Sequence, residues 1–262
     1  AGQPPTAMSF LSRLLGPVVG HAFDRWFHHG HSTNNGPVTT TVTGPLHSLE
    51  IAALTSADVA TLTPAQLRSI APADMAFFNT EALLGFSSAQ LNVLTTTQFV
   101  DLQPAGIAAL STRQVAWIST ADLRAMHTAQ AAALTSAQLA ALTTAQVPAL
   151  TTSDVAALST TALPGLGSSQ IQALTSTAFA TLSTAQLDAL TSTQVASFTS
   201  AQVRELASAE LNALGTEQLQ AFTSAQVAAL STAQVASLAT DQVARLASAE
   251  IAALDTAQLQ AL

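Results

Sequence analysis

Large apolar residues recur at every eighth position of the chain, from Leu54 to Leu262. A second apolar position lies three residues before each of them, and only Ala131 is small at that place. We label the octad positions a to h, with residues 135–142 (TSAQLAAL) as one unit, so that e and h are the apolar positions. The register covers residues 47–262 as 27 octads without an insertion or deletion. This periodicity predicts a repeat architecture.

The polar positions of the octad are typical of a helix start. Position a is usually Ser or Thr, position b is Ser or Thr in 24 octads and Pro in three, and position d is Gln, Asp or Glu in 23. Ser or Thr at a with Gln or an acid at d forms a capping box, and the flanking apolar residues form a hydrophobic staple. Pro at b is then Pro at the first helical position. Each octad is therefore predicted to start its own helix.

Several side chains are interpreted through this capping pattern alone. The acids at position d are caps, and Gln186→Ala is expected to remove only the reciprocal cap bond; the acids are Asp58, Asp74, Asp122, Asp154, Glu210 and Glu250. His47 and His127, at position a, are interpreted as weak cap substitutes. Where position a is Ala, we expect the cap to shift to b, as at Ala71, Ala207, Ala239 and Ala247.

A single long helix and a set of strands both fit the pattern poorly. Eight residues rotate a helix by about 80° beyond two full turns, so an apolar stripe would not stay on one face. In a strand, positions three and five residues apart would alternate between faces. An octapeptide β-solenoid of the ice-nucleation type is the remaining alternative, but such repeats rely on Gly, Ser, Thr and Tyr, and Gly is nearly absent from these octads.

The predicted fold is an all-α solenoid of about 27 very short helices over residues 47–262. Each helix is predicted to have six or seven residues. Helices this short are unstable alone, so they must stack on their neighbours through the e and h side chains. We also expect the Ala residues at c, f and g to pack tightly. The sequence leaves open whether a superhelical turn takes two, three or four octads.

Residues 1–46 form a separate predicted domain, an N-terminal amphipathic, His-containing segment followed by a linker. Residues 9–29 carry an apolar helical stripe that includes Phe10, Leu14, Trp26 and Phe27. The stripe is predicted either to cap the open end of the solenoid or to act as a self-assembly or membrane-surface helix. No apolar run is long enough to span a bilayer, so membrane contact is possible only through this segment.

Histidines in the same segment suggest a second possible role. His21, Asp24 and His28 would share one face of a helix, and His29 and His31 are close by; imidazole clusters can bind zinc, nickel or copper. The plainer interpretation is a pH-sensitive polar face, and we predict no metal or other cofactor. A ligand- or metal-holding scaffold is kept as the alternative function.

Composition and charge exclude several classes of function. Only 8% of the residues are charged, there is no Lys, and the net charge is −8, so nucleic acid is not an expected partner. No Cys is present to form disulfides or thiolate sites. No nucleophile elbow, P-loop or dinucleotide motif occurs, and the register leaves no enlarged loop for a site. The sequence therefore predicts a protein that is not an enzyme.

Two runs carry a resemblance to known proteins. LTTAQVPALTT (142–152) and LSTAQVASLATDQVARL (230–246) resemble the Thr/Ala/Gln repeats of very large bacterial secreted and surface proteins of the adhesin-like type. The resemblance covers about four fifths of the chain, and no glycine-rich calcium-binding nonapeptide accompanies it.

The resemblance implies a structural or interaction repeat protein, a rod or spiral for adhesion or self-assembly outside or on a bacterial cell. The expected partners are further copies of the chain, end to end, or another protein or cell-surface ligand. Leu259 and Leu262 are expected at an exposed apolar end of the solenoid, where such a contact would form.

Overall fold

The computed structural model describes residues 46–262, and each of the 27 octads in this part of the chain contains one short helix. No β-strand occurs among the described residues. The α-helices, numbered α1 to α24, are Ser48–Ala52, Ser56–Thr61, Pro64–Ser69, Thr80–Leu83, Ser88–Leu91, Thr96–Val100, Pro104–Ala109, Thr112–Val115, Thr120–Ala125, Thr128–Ala132, Ser136–Ala141, Thr152–Ala157, Ser168–Ala173, Ser176–Phe179, Thr184–Asp188, Ser192–Ala196, Ser200–Glu205, Ser208–Ala213, Thr216–Gln220, Ser224–Ala229, Thr232–Ala236, Thr240–Val243, Ser248–Ile251 and Thr256–Leu259. Three 3₁₀-helices, η1 to η3, are Pro72–Phe77, Val147–Ala149 and Leu163–Gly165. The predicted all-α solenoid of short helices is confirmed.

Helix α11 shows how an octad starts its helix. Thr135 is extended (φ −85°, ψ 162°), and its Oγ1 accepts a hydrogen bond from the backbone N–H of Gln138 at 3.3 Å. In return, Gln138 Oε1 accepts from the Thr135 N–H at 2.9 Å. This is the predicted capping box, which satisfies N–H groups that have no partner within the helix.

The same octad shows how the helix ends. Leu142, at position h, is extended (φ −61°, ψ 137°), and its N–H donates to the carbonyl of Leu139 at 3.2 Å. Two extended residues, h and the next a, therefore separate consecutive helices. Eleven of the described helices have six residues, the lower end of the predicted length, and the other 16 have three to five. None exceeds six, because both flanking positions leave the helical conformation.

Octads without a hydroxyl at position a keep their helix start there, so the predicted shift to b is wrong. Ala207 is the N-cap of α18, and its N–H donates to Glu210 Oε2 at 2.7 Å. The side chain at d thus supplies half of the capping box by itself. His47 and His127 are also N-caps, but neither makes a side-chain cap bond, so their interpretation as cap substitutes is wrong.

Proline at position f shortens two helices to single 3₁₀ turns. Pro148 lies in η2 and Pro164 in η3. Because proline has no N–H, the helical hydrogen bond at that residue cannot form, and a tighter turn remains. The octad nevertheless keeps its length and its core residues.

Most of the described helices pack against a helix three octads away, for example α1 against η1 and α2 against α4. Backbones approach closely at these contacts. A Cβ on Gly85 would lie only 2.1 Å from the carbonyl oxygen of Ser56, and one on Gly165 would lie equally near that of Ser136. Glycine is therefore required at these two positions by space, and a three-octad contact is the basic packing step.

The core of the stack consists of positions d, e and h. Position e is almost fully buried through most of the chain, and h is nearly so. Alanines at c and most of those at f are exposed, and those at g are mostly half-buried, so the expectation of tight packing at c and f is wrong. The burial of Gln at position d was not predicted from the sequence.

Candidate functional site

Glutamine at position d makes a second set of hydrogen bonds beyond its own octad. Gln90 Oε1 accepts from the Ser87 N–H at 2.9 Å, as the capping box requires. Its Nε2 donates to the carbonyls of Val59 at 2.7 Å and Leu62 at 2.9 Å. Those are positions e and h of the fourth preceding octad. One amide therefore starts its own helix and also satisfies the end of another.

This arrangement repeats along the stack, and we call it the glutamine ladder. Its members donate to the h carbonyl four octads earlier, and all but the last two also donate to the e carbonyl; they are Gln90, Gln98, Gln114, Gln130, Gln138, Gln146, Gln170, Gln186, Gln194, Gln202, Gln218, Gln226, Gln234, Gln242 and Gln258. All are buried. Together with the three-octad packing, the ladder gives a superhelical turn of between three and four octads.

The ladder corrects the interpretation of Gln186 as a cap alone. Its Nε2 bonds Val155 O at 3.0 Å and Leu158 O at 2.8 Å, and the side chain is buried. Capping boxes also accept glutamate, so an excess of amide over acid at d was the signal available in the sequence. Position d holds 16 Gln against seven acids.

One octad moves the ladder amide to a different position. Octad 79–86 has Ala82 at d, and Asn79 at a takes over both roles. Asn79 Oδ1 accepts from the Ala82 N–H at 2.8 Å, and its Nδ2 donates to Ala52 O at 3.1 Å and Leu54 O at 2.9 Å. The donor again reaches the fourth preceding octad. The cross-repeat bond is thus kept even where the capping side chain changes.

Acids at d inside the stack keep the cap but not the ladder. Asp154 is only 1% exposed, and it accepts hydrogen bonds from Thr151 N–H at 2.9 Å and Thr151 Oγ1 at 2.6 Å. An ionised carboxylate has no hydrogen to donate to the carbonyls of the fourth preceding octad. Asp122, also buried, accepts from Ser119 Oγ at 2.6 Å, and its own N–H donates to that oxygen at 3.1 Å, so it keeps the Ser119 half of the cap.

The two ends of the described stack differ in what they expose. We define the N-terminal edge as the d side chains of the first four octads, Glu50, Asp58, Gln66 and Asp74. Asp58 is exposed and the other three are half-buried, whereas the Gln residues at d in later octads are buried. The C-terminal edge comprises the e and h side chains and the h carbonyls of octads 24–27, residues 231–262.

Apolar side chains are uncovered at the C-terminal edge. Leu259 is 46% and Leu262 is 48% exposed, while Val243, Leu246 and Ile251 are half-buried. In earlier octads the corresponding positions are covered by the octads three and four further along. The structure therefore places Leu259 and Leu262 together on an exposed edge, and their role in binding stays a prediction.

The remaining predicted site residues lie outside the described residues, and their roles stay predictions. They are the apolar residues Phe10, Leu14, Trp26 and Phe27 and the possible ligands His21, Asp24, His28, His29 and His31. Within residues 46–262, no group of three or more His, Asp or Glu side chains is placed to hold a metal ion. No helix in the same range is long and apolar enough to cross a bilayer.

The outer surface presents hydroxyls, amides and a few charges. An open groove between octads 18, 19 and 22 is lined by groups that include Asp188, Ser192, Gly215 and Glu217. Gly215 at position a leaves space there that a Ser or Thr side chain would fill.

Elsewhere, the Arg113 guanidinium lies over the Trp117 ring at 5.8 Å from its centroid, a cation–π contact within one octad.

These features define a helical repeat protein, in which octads of one design are joined by capping boxes and a ladder of buried amides. The chain belongs to the ALTTAQ repeat family. The family model matches six times, at residues 115–152, 149–184, 171–200, 195–232, 203–240 and 211–248, which together span just over half of the chain. The family motif itself reads ALTTAQ at residues 141–146, positions g to d across an octad boundary. No curated protein matches the chain.

Proposed function

We propose that this protein is a non-enzymatic structural or interaction protein, with its repeat solenoid serving as a rod or spiral scaffold. The observation that carries the proposal is the glutamine ladder. The buried glutamines at position d are engaged in holding one octad to another, as Gln138 is with the carbonyls of Ile107 and Leu110. The unbroken octad register adds no insertion that could build a catalytic pocket.

The scaffold is proposed to act outside a bacterial cell or on its surface. The resemblance to adhesin-like bacterial repeat proteins supports this location. A surface of Ser, Thr and Gln with few charges also suits a long protein whose ends, rather than a central cleft, make contacts. Fractionation of a bacterium that expresses the gene tests the location: the protein is expected in the medium or in a protease-accessible surface fraction. Recovery only from the cytosol would contradict it.

Assembly is proposed to use the C-terminal edge. Leu259 and Leu262 provide an apolar surface, and the apolar stripe predicted in residues 9–29 of a second copy provides a partner for it. A contact between two different surfaces generates rings or filaments unless the geometry closes. The low charge density opposes such a contact only weakly.

Light scattering and electron microscopy of the full-length chain test this assembly. Large species are expected at high protein concentration, and the Leu259→Glu/Leu262→Glu variant is expected to lose them because a charge cannot be buried in the contact. Leu49→Glu, at an exposed position in the first octad, is the matched control and should assemble as the wild type does. A wild-type chain that stays monomeric at high concentration would contradict assembly.

Adhesion is tested separately, by the binding of fluorescently labelled full-length chain to intact cells. Saturable binding that an excess of unlabelled chain displaces is the expected result. Binding that never saturates, or none at all, would leave a purely structural role.

A further inference from the structure

Octads 14–17, residues 151–182, have fewer ladder bonds than any other part of the stack after its first four octads. Only one of their four d residues is an amide; the four are Asp154, Ala162, Gln170 and Ala178. Gln170 Nε2 donates to Leu139 O at 2.7 Å and to Leu142 O at 2.6 Å. Every other run of four consecutive octads from octad 5 onwards has at least two ladder amides, with Asn79 counted as one. Four octads, about one superhelical turn, are therefore linked to the octads before them by a single amide.

The carbonyls that the missing amides would reach are not bonded by other groups of the stack. In the ladder register they are the h carbonyls of octads 10, 11 and 13, at Met126, Leu134 and Leu150. None of the three accepts a hydrogen bond from a described residue. The h carbonyl of Phe198, in a complete part of the ladder, accepts from Gln226 Nε2 at 2.9 Å. The link to the fourth preceding octad is therefore lost here and not replaced.

Contacts with the third preceding octad are kept in the same segment. A Cβ on Gly165 would lie only 2.1 Å from Ser136 O, and Thr181 Oγ1 donates to Thr152 O at 3.2 Å. Helices three octads apart also pack together here, as α12 does with α14. The segment thus has a pivot of close backbone contacts, but it lacks most of the bonds that would fix the angle about that pivot.

We propose that residues 151–182 form a hinge, at which the superhelix changes its pitch more readily than elsewhere in the described stack. The two shortest described helices, η2 and η3, lie next to and within this segment, and each has three residues. A single 3₁₀ turn has fewer and poorer hydrogen bonds than a longer α-helix. The hinge lets a long scaffold bend or extend at a fixed place while each octad stays folded. It does not depend on the adhesion or assembly proposed above.

The test compares distances across the hinge with distances across a fully linked part of the stack. The chain has no Cys, so cysteines at exposed c positions can carry nitroxide labels. The pair Ala121→Cys/Thr177→Cys spans the hinge. The pair Ala185→Cys/Asp241→Cys has the same sequence separation, and octads 22–25 all carry ladder amides there. Pulsed electron paramagnetic resonance of the full-length chains is expected to give a distance distribution at least about twice as wide for the hinge pair. Equal widths, or a wider distribution for the second pair, overturn the hinge.

A transplant of d residues tests whether the ladder is the cause. Gln218→Asp/Gln226→Ala/Gln242→Ala gives octads 22–25 the same d residues as the hinge. It is expected to widen the distribution of the 185/241 pair to about that of the hinge pair. If this variant is folded by circular dichroism and the distribution stays narrow, missing ladder bonds do not make a hinge, and the proposal is overturned.

The reverse change supplies the missing amides. Asp154→Gln/Ala162→Gln/Ala178→Gln is expected to narrow the distribution of the 121/177 pair toward that of the linked part. If the triple variant does not fold, because Ala162 and Ala178 are buried, Asp154→Gln alone is measured and should narrow the distribution in part. A folded variant with an unchanged width contradicts the hinge.

Discussion

Octads 18 and 27 have nearly the same sequence, STAQLDAL and DTAQLQAL, but their apolar residues have different environments. Leu187 and Leu190 are almost fully buried, whereas Leu259 and Leu262, at the same octad positions, are about half exposed. Both octads start their helices with a capping box. Local structure is therefore a property of the octad, while burial is a property of the stack.

The comparison also separates two kinds of dependence between octads. Each ladder bond joins an octad to the fourth octad before it. Gln258 in the last octad therefore still donates to Leu230 O and is buried, although nothing in the described chain follows its octad. The apolar cover comes from octads further along, and Leu262 lacks it. An octad thus contributes a hydrogen bond to the fourth octad before it, and octads further along the chain cover its apolar side chains.

The largest expected effect comes from removing a covered leucine. Leu190→Ala leaves a cavity between packed octads and should lower the free energy of unfolding by about 2–5 kcal/mol. Leu262→Ala removes the same atoms from the exposed edge and should change it by less than about 0.5 kcal/mol. Urea unfolding followed by circular dichroism measures both, and equal losses would show that burial does not depend on the neighbouring repeats.

A smaller but still substantial loss is expected from Gln186→Glu. Glutamate keeps the size and the cap bond but cannot donate to Val155 O and Leu158 O, so about 2–3 kcal/mol should be lost. Gln260→Glu, the same chemical change at an exposed f position, is the control and should be nearly neutral. If denaturant unfolding shows the two variants to be equally stable, the ladder bond contributes nothing to stability.

Much of this architecture could be predicted from the octad alone, because capping and helix termination depend on residues within eight positions. Thr135 and Gln138 identify their own helix start, and Leu139 and Leu142 identify the core. The ladder could not be predicted in the same way, because its partners lie 28 and 31 residues earlier and the number of octads per turn is set by packing. The excess of Gln over acids at position d was the sequence signal that pointed beyond capping.

Restoring a missing ladder bond should stabilise the protein. Asp154→Gln would keep the cap bond to Thr151 and add a donor toward the carbonyls of Leu123 and Met126, in the register that the other ladder members follow. It also removes a buried charge without a cation, so a gain of about 1 kcal/mol is expected. Asp188→Gln, the same change at an exposed f position, should leave the unfolding midpoint where it is. A destabilised Asp154→Gln chain would mean that its carboxylate has a specific role.

The smallest expected effect concerns the part of the octad that acts locally. Ala207→Ser adds a hydroxyl at the N-cap of α18, where the Glu210 N–H lacks the side-chain acceptor that Thr199 provides for Gln202. The N-cap is already extended (φ −67°, ψ 155°), so serine fits without strain, and a gain of about 0.5–1 kcal/mol is expected. Ala201→Ser, at the exposed c position of the preceding octad, adds the same hydroxyl without a cap and should give no gain. Because the cap is local, the gain should be the same for Ala247→Ser near the C-terminal edge, where cover is incomplete. Calorimetric melting of the three variants measures this, and a gain at Ala207 without one at Ala247 would show that capping, too, depends on the stack.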